Sequence, residues 1–180
     1  MEFLLDKALN VLKKGGVIIF PTDTVWGIGA SLKSQRGIKK LYQIKRREKG
    51  KPTAVLVADK KMAQNLGIIN KEAEKLIDKY WPGGLTIVVK GKSGGTIGLR
   101  QPNQPLILKL IKNLGTGLVA ASANFSGRPA PKTRKELDPQ LVKLADLVLS
   151  GEARGGPASA VVDTTVKPFV IIRKSPLFTS

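Results

Sequence analysis

The chain has 180 residues with 42% hydrophobic content and neither cysteine nor histidine, which fits one compact α/β domain over residues 1–180 and excludes disulfides, thiolate chemistry and imidazole catalysis. Lys and Arg number 31 against 13 Asp and Glu, a formal net charge of +18, so RNA or a polyphosphate nucleotide is a fitting partner beside the plainer reading of a solvated, solubilising surface. Aromatic residues make up 5%, which leaves no obvious base-stacking platform. The N-terminus carries an early acid and no positively charged segment before an apolar run, and no stretch is long enough to span a bilayer. A soluble, cytoplasmic protein without membrane contact is expected.

In chain order, Leu5, Ala8, Leu9 and Leu12 predict a helix over 3–14, stopped by Gly15-Gly16. Val17 to Phe20 reads as a short buried strand ended by Pro21. A second helix carries Ile38, Leu41 and Tyr42 and runs toward Lys45, with Gly50 and Pro52 closing it. A strand at Ala54–Val57 precedes helical patterns at Met62–Leu66 and at Ala73, Leu76, Ile77 and Tyr80. Trp81-Pro82-Gly83-Gly84 breaks the latter, before strands at Leu85–Val89 and Ile97–Arg100. Leu106, Ile107, Leu110, Ile111 and Leu114 predict an amphipathic helix, then Leu118–Ala121 a strand. A helix near Leu137–Leu144 and strands at Leu147–Leu149, Ala160–Asp163 and Phe169–Ile172 complete the pattern, an α/β sheet covered by helices.

Two glycine motifs fail as nucleotide signatures. Gly91-Lys92-Ser93 lacks the first P-loop glycine, where Thr86 stands, and Gly27-Ile28-Gly29 lacks the third glycine of the dinucleotide fingerprint, where Leu32 stands. Pro21 to Gly29 therefore reads as a polar loop past a buried strand, where α/β proteins bind ligands, or as a plain turn. Trp26 and Trp81 read as core or pocket walls.

Lys45 and Arg47 stand at a helix end, where cations also suit the helix dipole. On a regular helix they would point about 200° apart, so acting together requires the helix to end between them. Arg47 can fork onto phosphate oxygens, with Lys45 and Lys51 as point charges. Ser122 and Asn124 follow an apolar strand, where an i, i+2 pair shares one face. They suit hydrogen bonding to a phosphate or reacting group, or simply satisfy a turn. With no histidine to activate it, Ser122 is a poor nucleophile.

These segments, in this order, resemble the YrdC family, the threonylcarbamoyl-AMP synthases of tRNA modification. The matching stretches are Gly15 to Gly29, Lys45-Arg46-Arg47 with Lys51-Pro52, Trp81-Pro82-Gly83, Arg100, Ser122 to Pro129, Ser159 to Asp163, and Arg173. The resemblance implies a single-domain, twisted mixed (parallel and antiparallel) sheet with flanking helices, YrdC/RibB-like, with a basic concave face. It also implies that L-threonine, bicarbonate and ATP, with Mg²⁺, give threonylcarbamoyl-adenylate and pyrophosphate, the adenylate serving adenosine 37 of tRNAs that read ANN codons through a downstream threonylcarbamoyl transferase complex. By resemblance, Arg47, Lys51, Thr96, Ser122, Asn124 and Arg173 contact ATP, and Lys45, Arg47, Ser122 and Asn124 form a catalytic polar tetrad. Thr24, Arg100, Ser159 and the backbone near Ala120 hold threonine. Asp23 and Asp163 are weak metal candidates, and the metal ligands stay open. Asp23, Trp26, Leu56, Ala130 and Ala160 depart from the family's usual residues. The length resembles the short bacterial form without the extra C-terminal domain. The competing readings are an RNA-binding module, for tRNA or double-stranded RNA, without adenylate chemistry, and a paralogue acting on another amine.

Overall fold

In the computed structural model, which describes residues 2–46 and 53–178, the first helix, α1 (Glu2–Lys13), buries Leu5, Ala8, Leu9 and Leu12. Gly15 ends it at φ 78°, a left-handed conformation that costs little without a Cβ. β1 (Val17–Phe20) then pairs antiparallel with β2 (Gly27–Ser31). The sequence pattern reads β2 as loop because glycine-rich stretches have low strand propensity. The strand forms because its glycines leave room for a neighbour. A Cβ on Gly27 would lie 2.9 Å from Phe20 Cε2, and one on Gly29 would lie 2.7 Å from the Val119 carbonyl oxygen.

α2 (Gln35–Ile44) starts at Ser34, whose hydroxyl accepts from Gly37 N. It ends at Ile44, earlier than the Gly50 and Pro52 stop that the sequence suggests. Lys45 is the C-cap, and Arg46 takes φ 49° with its guanidinium 4.7 Å from the Phe125 ring centroid. From residue 53 onward come β3 (Ala54–Leu56), α3 (Lys60–Leu66), β4 (Gly67–Ile68), α4 (Lys71–Tyr80), β5 (Leu85–Gly91) and β6 (Thr96–Arg100). Then follow α5 (Pro105–Leu114), β7 (Leu118–Ser122), α6 (Pro139–Leu144), β8 (Leu147–Val148), β9 (Ala160–Asp163) and β10 (Val170–Arg173). Asp59, Asn70 and Asp138 cap α3, α4 and α6 through side-chain oxygens, supplying acceptors for otherwise orphaned amides. Gly91-Lys92-Ser93 opens the β5–β6 turn, with Gly94 and Gly95 at φ 95° and 63°, so it is a hairpin rather than a phosphate loop.

The strands form a 10-stranded sheet in the order β10-β9-β5-β6-β3-β7-β2-β1-β8, with β4 against β5. β1–β8, β3–β6 and β5–β9 are parallel and the other pairs antiparallel. The mixed sheet inferred from resemblance is therefore present.

Alternation along the strands sorts the sheet's two faces. Val17, Ile19, Ile28, Val55, Ile87, Leu99 and Val119 pack toward α2, α3, α4 and α6. On the opposite face, Ile18, Phe20, Leu56, Leu118 and Ala120 pack against α1 and α5. Those two helices cover only part of that face. Among the described residues no helix is long and apolar enough to cross a membrane.

Candidate active site

The rest of the second face forms the floor of a cavity of about 630 Å³. Its central strands present small side chains, Ala54 on β3 and Gly98 on β6, so the floor is hollow in the middle. Polar groups stand around it: Thr86 on β5, Thr96 and Arg100 on β6, Ser122 on β7, Ser159 just before β9 and Asp163 at its end. The alternation that buries Leu85, Ile87 and Val89 on the helical side turns Thr86 and Val88 into the cavity.

Arg100, 7% exposed, is held by three acceptors. Its Nε donates to Gly83 O at 3.0 Å, one terminal nitrogen to Thr24 Oγ1 at 3.1 Å and the other to Asp23 Oδ1 at 2.7 Å. Burial lowers the guanidinium's pKa, and the Asp23 charge and hydrogen bond oppose that shift. Asp23 and Arg100 thus form a buried ion pair, in which each partner offsets the other's desolvation. Thr24 is fully shielded from solvent beneath this group.

On another wall, Arg173 Nε donates to Ser159 O at 2.8 Å and a terminal nitrogen to Ser159 Oγ at 3.0 Å, while Ser159 Oγ lies 3.1 Å from Thr86 Oγ1. Arg173 reaches the cavity through a bulge. Ile171 pairs with Val162 and Arg173 with Val161, leaving Ile172 extra. Regular pairing would set Arg173 opposite Ala160, on the helical side. The extra residue brings both Ile172 and Arg173 to the cavity.

The third wall is the end of β7. Ser122 lines the cavity, but Asn124 and Lys45 do not. The strand ends at Ser122 and Asn124 N donates to Ser122 O at 2.9 Å, so the expected extended i, i+2 pair gives way to a turn. Lys45, 2% exposed, sends its Nζ to Ser122 O at 2.5 Å and Asn124 O at 2.8 Å. Ser126 N returns a bond to Lys45 O at 3.0 Å. Asn124 Nδ2 donates to Phe125 O at 3.0 Å and Arg128 O at 2.5 Å, and its Oδ1 is buried without a partner among the described residues. Arg46 and Arg128 both stack on Phe125, at 4.7 and 5.7 Å.

Of the residues singled out from sequence, Thr24, Thr96, Arg100, Ala120, Ser122, Ser159 and Arg173 share the cavity lining. Lys45 and Asn124 meet each other beside it, and Arg47 and Lys51 lie outside the described residues. Sequence reasoning missed Thr86, hidden inside an apolar strand, and the pairing of Asp23 with Arg100. Period-two alternation within β5 was the available signal for Thr86, whereas nothing local marked Asp23 as the partner of a residue 77 positions away.

A mixed sheet with two pinned guanidinium groups and several hydroxyls around one cavity defines an α/β protein built to hold anionic or zwitterionic small molecules. A family model described as Telomere recombination, for the Sua5, YciO and YrdC proteins, matches residues 10–175, and the chain belongs to that family. It is 35% identical to a putative threonylcarbamoyl-AMP synthase of Methanocaldococcus jannaschii, over 97% of this chain and 84% of that protein. It is 33% identical to the threonylcarbamoyl-AMP synthase of Bacillus subtilis, over 90% of this chain and 49% of that one. The crystal structure of P. abyssi Sua5 complexed with L-threonine superposes with TM-score 0.90 at 29% identity, over 97% of this chain and 55% of that chain. The chain thus spans about half the length of the B. subtilis and P. abyssi proteins. E. coli YciO shares the fold, with TM-score 0.84 over 98% of this chain and 91% of that one at 24% identity.

Proposed function

We propose that this chain is an L-threonylcarbamoyladenylate synthase, a nucleotidyltransferase joining L-threonine, bicarbonate or CO₂, and ATP. The observation that supports it most is that Arg100 and Arg173, each fixed by buried acceptors, face one cavity. In this reading Arg100 takes the threonine carboxylate, with Ser159 and the Ala120 backbone completing the amino-acid end. Arg173, Thr96 and Ser122 take ATP, together with Arg47 and Lys51. Lys45 and Asn124 complete the tetrad by fixing the Ser122 turn.

The amine of threonine loses a proton as it adds CO₂, giving a carbamate. A carbamate oxygen attacks the α-phosphorus of ATP, the new P–O bond forms as the bond to the β-phosphate bridge breaks, and pyrophosphate leaves with the electron pair. Such a transfer depends on aligned reactants and on positive charge where negative charge develops, which a chain without histidine can supply.

Mg²⁺ belongs to the same proposal. Among the described residues there is no cluster of three or more His, Cys, Asp or Glu side chains. Asp23 is engaged by Arg100, and Asp163 lines the cavity with one oxygen bonded to Thr165. That donor set fits an ion held mainly by phosphates and water, with Asp163 as the carboxylate that lines the cavity. The ion would neutralise charge on the phosphates. The proposal extends to a basic concave face, a tRNA contact through it, cytoplasmic location, delivery of the adenylate to a downstream transferase complex, and one functional unit over residues 1–180.

The test is pyrophosphate release from ATP and Mg²⁺, measured with and without threonine and bicarbonate. Release that requires both supports the synthase. Absence of such release together with salt-sensitive RNA binding would favour an RNA-binding module, and a clear preference for another amine would indicate a paralogue.

A further inference from the structure

The hydrogen-bond directions around Arg100 can be assigned proton by proton. A threonine hydroxyl carries one proton and can accept twice. Thr22 Oγ1 lies 2.7 Å from Val25 O, and a carbonyl can only accept, so the Thr22 proton is committed there. The 3.0 Å contact between the two threonine hydroxyls must therefore be donated by Thr24. Thr22 Oγ1 also accepts from Thr24 N at 3.0 Å, which completes its capacity. With its own proton turned to Thr22, Thr24 Oγ1 faces Arg100 only as an acceptor, as the 3.1 Å contact from the guanidinium requires. The result is a one-way chain from Arg100 through Thr24 and Thr22 to the Val25 carbonyl.

We propose that Thr22 is a positioning residue for the substrate carboxylate: by holding the Thr24 hydroxyl as an acceptor it fixes the plane of Arg100, leaving two guanidinium N–H groups for the carboxylate. Among the described residues, Gly83 O, Thr24 Oγ1 and Asp23 Oδ1 take three of the five guanidinium donors. Arg100, 7% exposed, lines the cavity. Thr24 also lines the cavity, and its hydroxyl oxygen is already engaged by Arg100 and Thr22. The inference rests on the reading of Arg100 as the carboxylate anchor.

Without the Thr22 hydroxyl, the Thr24 proton loses its acceptor, and the Thr24 oxygen is no longer held in the orientation that receives the guanidinium. The measurement is calorimetric binding of L-threonine and of L-threoninamide, which lacks the carboxylate charge, to the intact protein. The unmodified chain should favour threonine by roughly ten- to a hundredfold, the range of a charge-assisted pair. Thr22→Val should reduce that preference by about tenfold with ATP affinity unchanged, and Thr22→Ser should restore it. Equal weakening of threonine, threoninamide and ATP would mean that Thr22 is only structural, and an unchanged preference would remove the relay. Should Thr22→Val not fold, Thr24→Val deletes the acceptor while keeping the Thr22 bond to Val25 and should lower the preference by the same factor. If the unmodified protein binds threonine and threoninamide equally, the assignment of Arg100 itself falls, a result distinct from failure of the relay.

Discussion

Replacing Gly29 by alanine tests whether the β2 glycines exist for close approach. The added Cβ would stand 2.7 Å from Val119 O and 3.2 Å from both Leu118 Cγ and Phe20 Cε1. The first obstacle is backbone of the paired strand β7, which cannot swing aside as a side chain can. Overpacking of this kind costs about 1–3 kcal/mol. For a domain of this size each kcal/mol lowers the unfolding midpoint by roughly 2–4 °C, so calorimetry should show a fall of roughly 2–12 °C. Gly98→Ala is the comparator within the same sheet. Its Cβ would meet Thr86 Cγ2 at 3.4 Å and Ala54 Cα at 3.8 Å, both ordinary contacts, so its midpoint should stay within roughly 2 °C. Because Gly98 lines the cavity floor, that variant should instead bind its ligands more weakly. If Gly29→Ala is as stable as the parent chain, the contact account of Gly27-Ile28-Gly29 is wrong.

Removing one member of the Asp23–Arg100 pair leaves a buried charge uncompensated, so Asp23→Ala should lose about 3–5 kcal/mol in urea unfolding. Lys45→Met leaves the Ser122 and Asn124 carbonyls without their cation, so hydrogen exchange at Ser126 should accelerate while α1 amides are unaffected, with a stability loss of about 1–3 kcal/mol. Asp146 accepts from Val17 N and Lys40 Nζ. Burial raises its pKa, but these hydrogen bonds outweigh burial and hold the carboxyl below its ordinary 3.8. A depressed folded pKa means that the contribution is complete above the unfolded value and disappears as pH falls through the folded one. Thermal unfolding of Asp146→Asn should therefore decline less than that of the parent below about pH 4.

Elements whose faces are decided locally were legible from sequence. α1 and α5 repeat apolar residues every three or four positions, and each buries that stripe. β2 was not legible, because the reason for its glycines is a phenylalanine ring on the preceding strand and the Val119 carbonyl on β7, 90 positions from Gly29. The site was legible as a set of residues, since seven of those singled out share the cavity lining. Their bonding was not. Lys45 reads as a point charge in sequence, yet its ammonium holds two backbone carbonyls. The bulge at Ile172 likewise has no local signature, and it decides which way Arg173 points.

The half-covered sheet face has a consequence for how long the protein survives. Where α1 and α5 stop, the place of a further layer is left to whatever fills the cavity, so nucleotide and amino acid together would serve as removable core. Occupancy at about a hundredfold over the dissociation constant adds about 2.7 kcal/mol against unfolding. The chain's persistence against heat and proteases would then rise and fall with the supply of its own substrates.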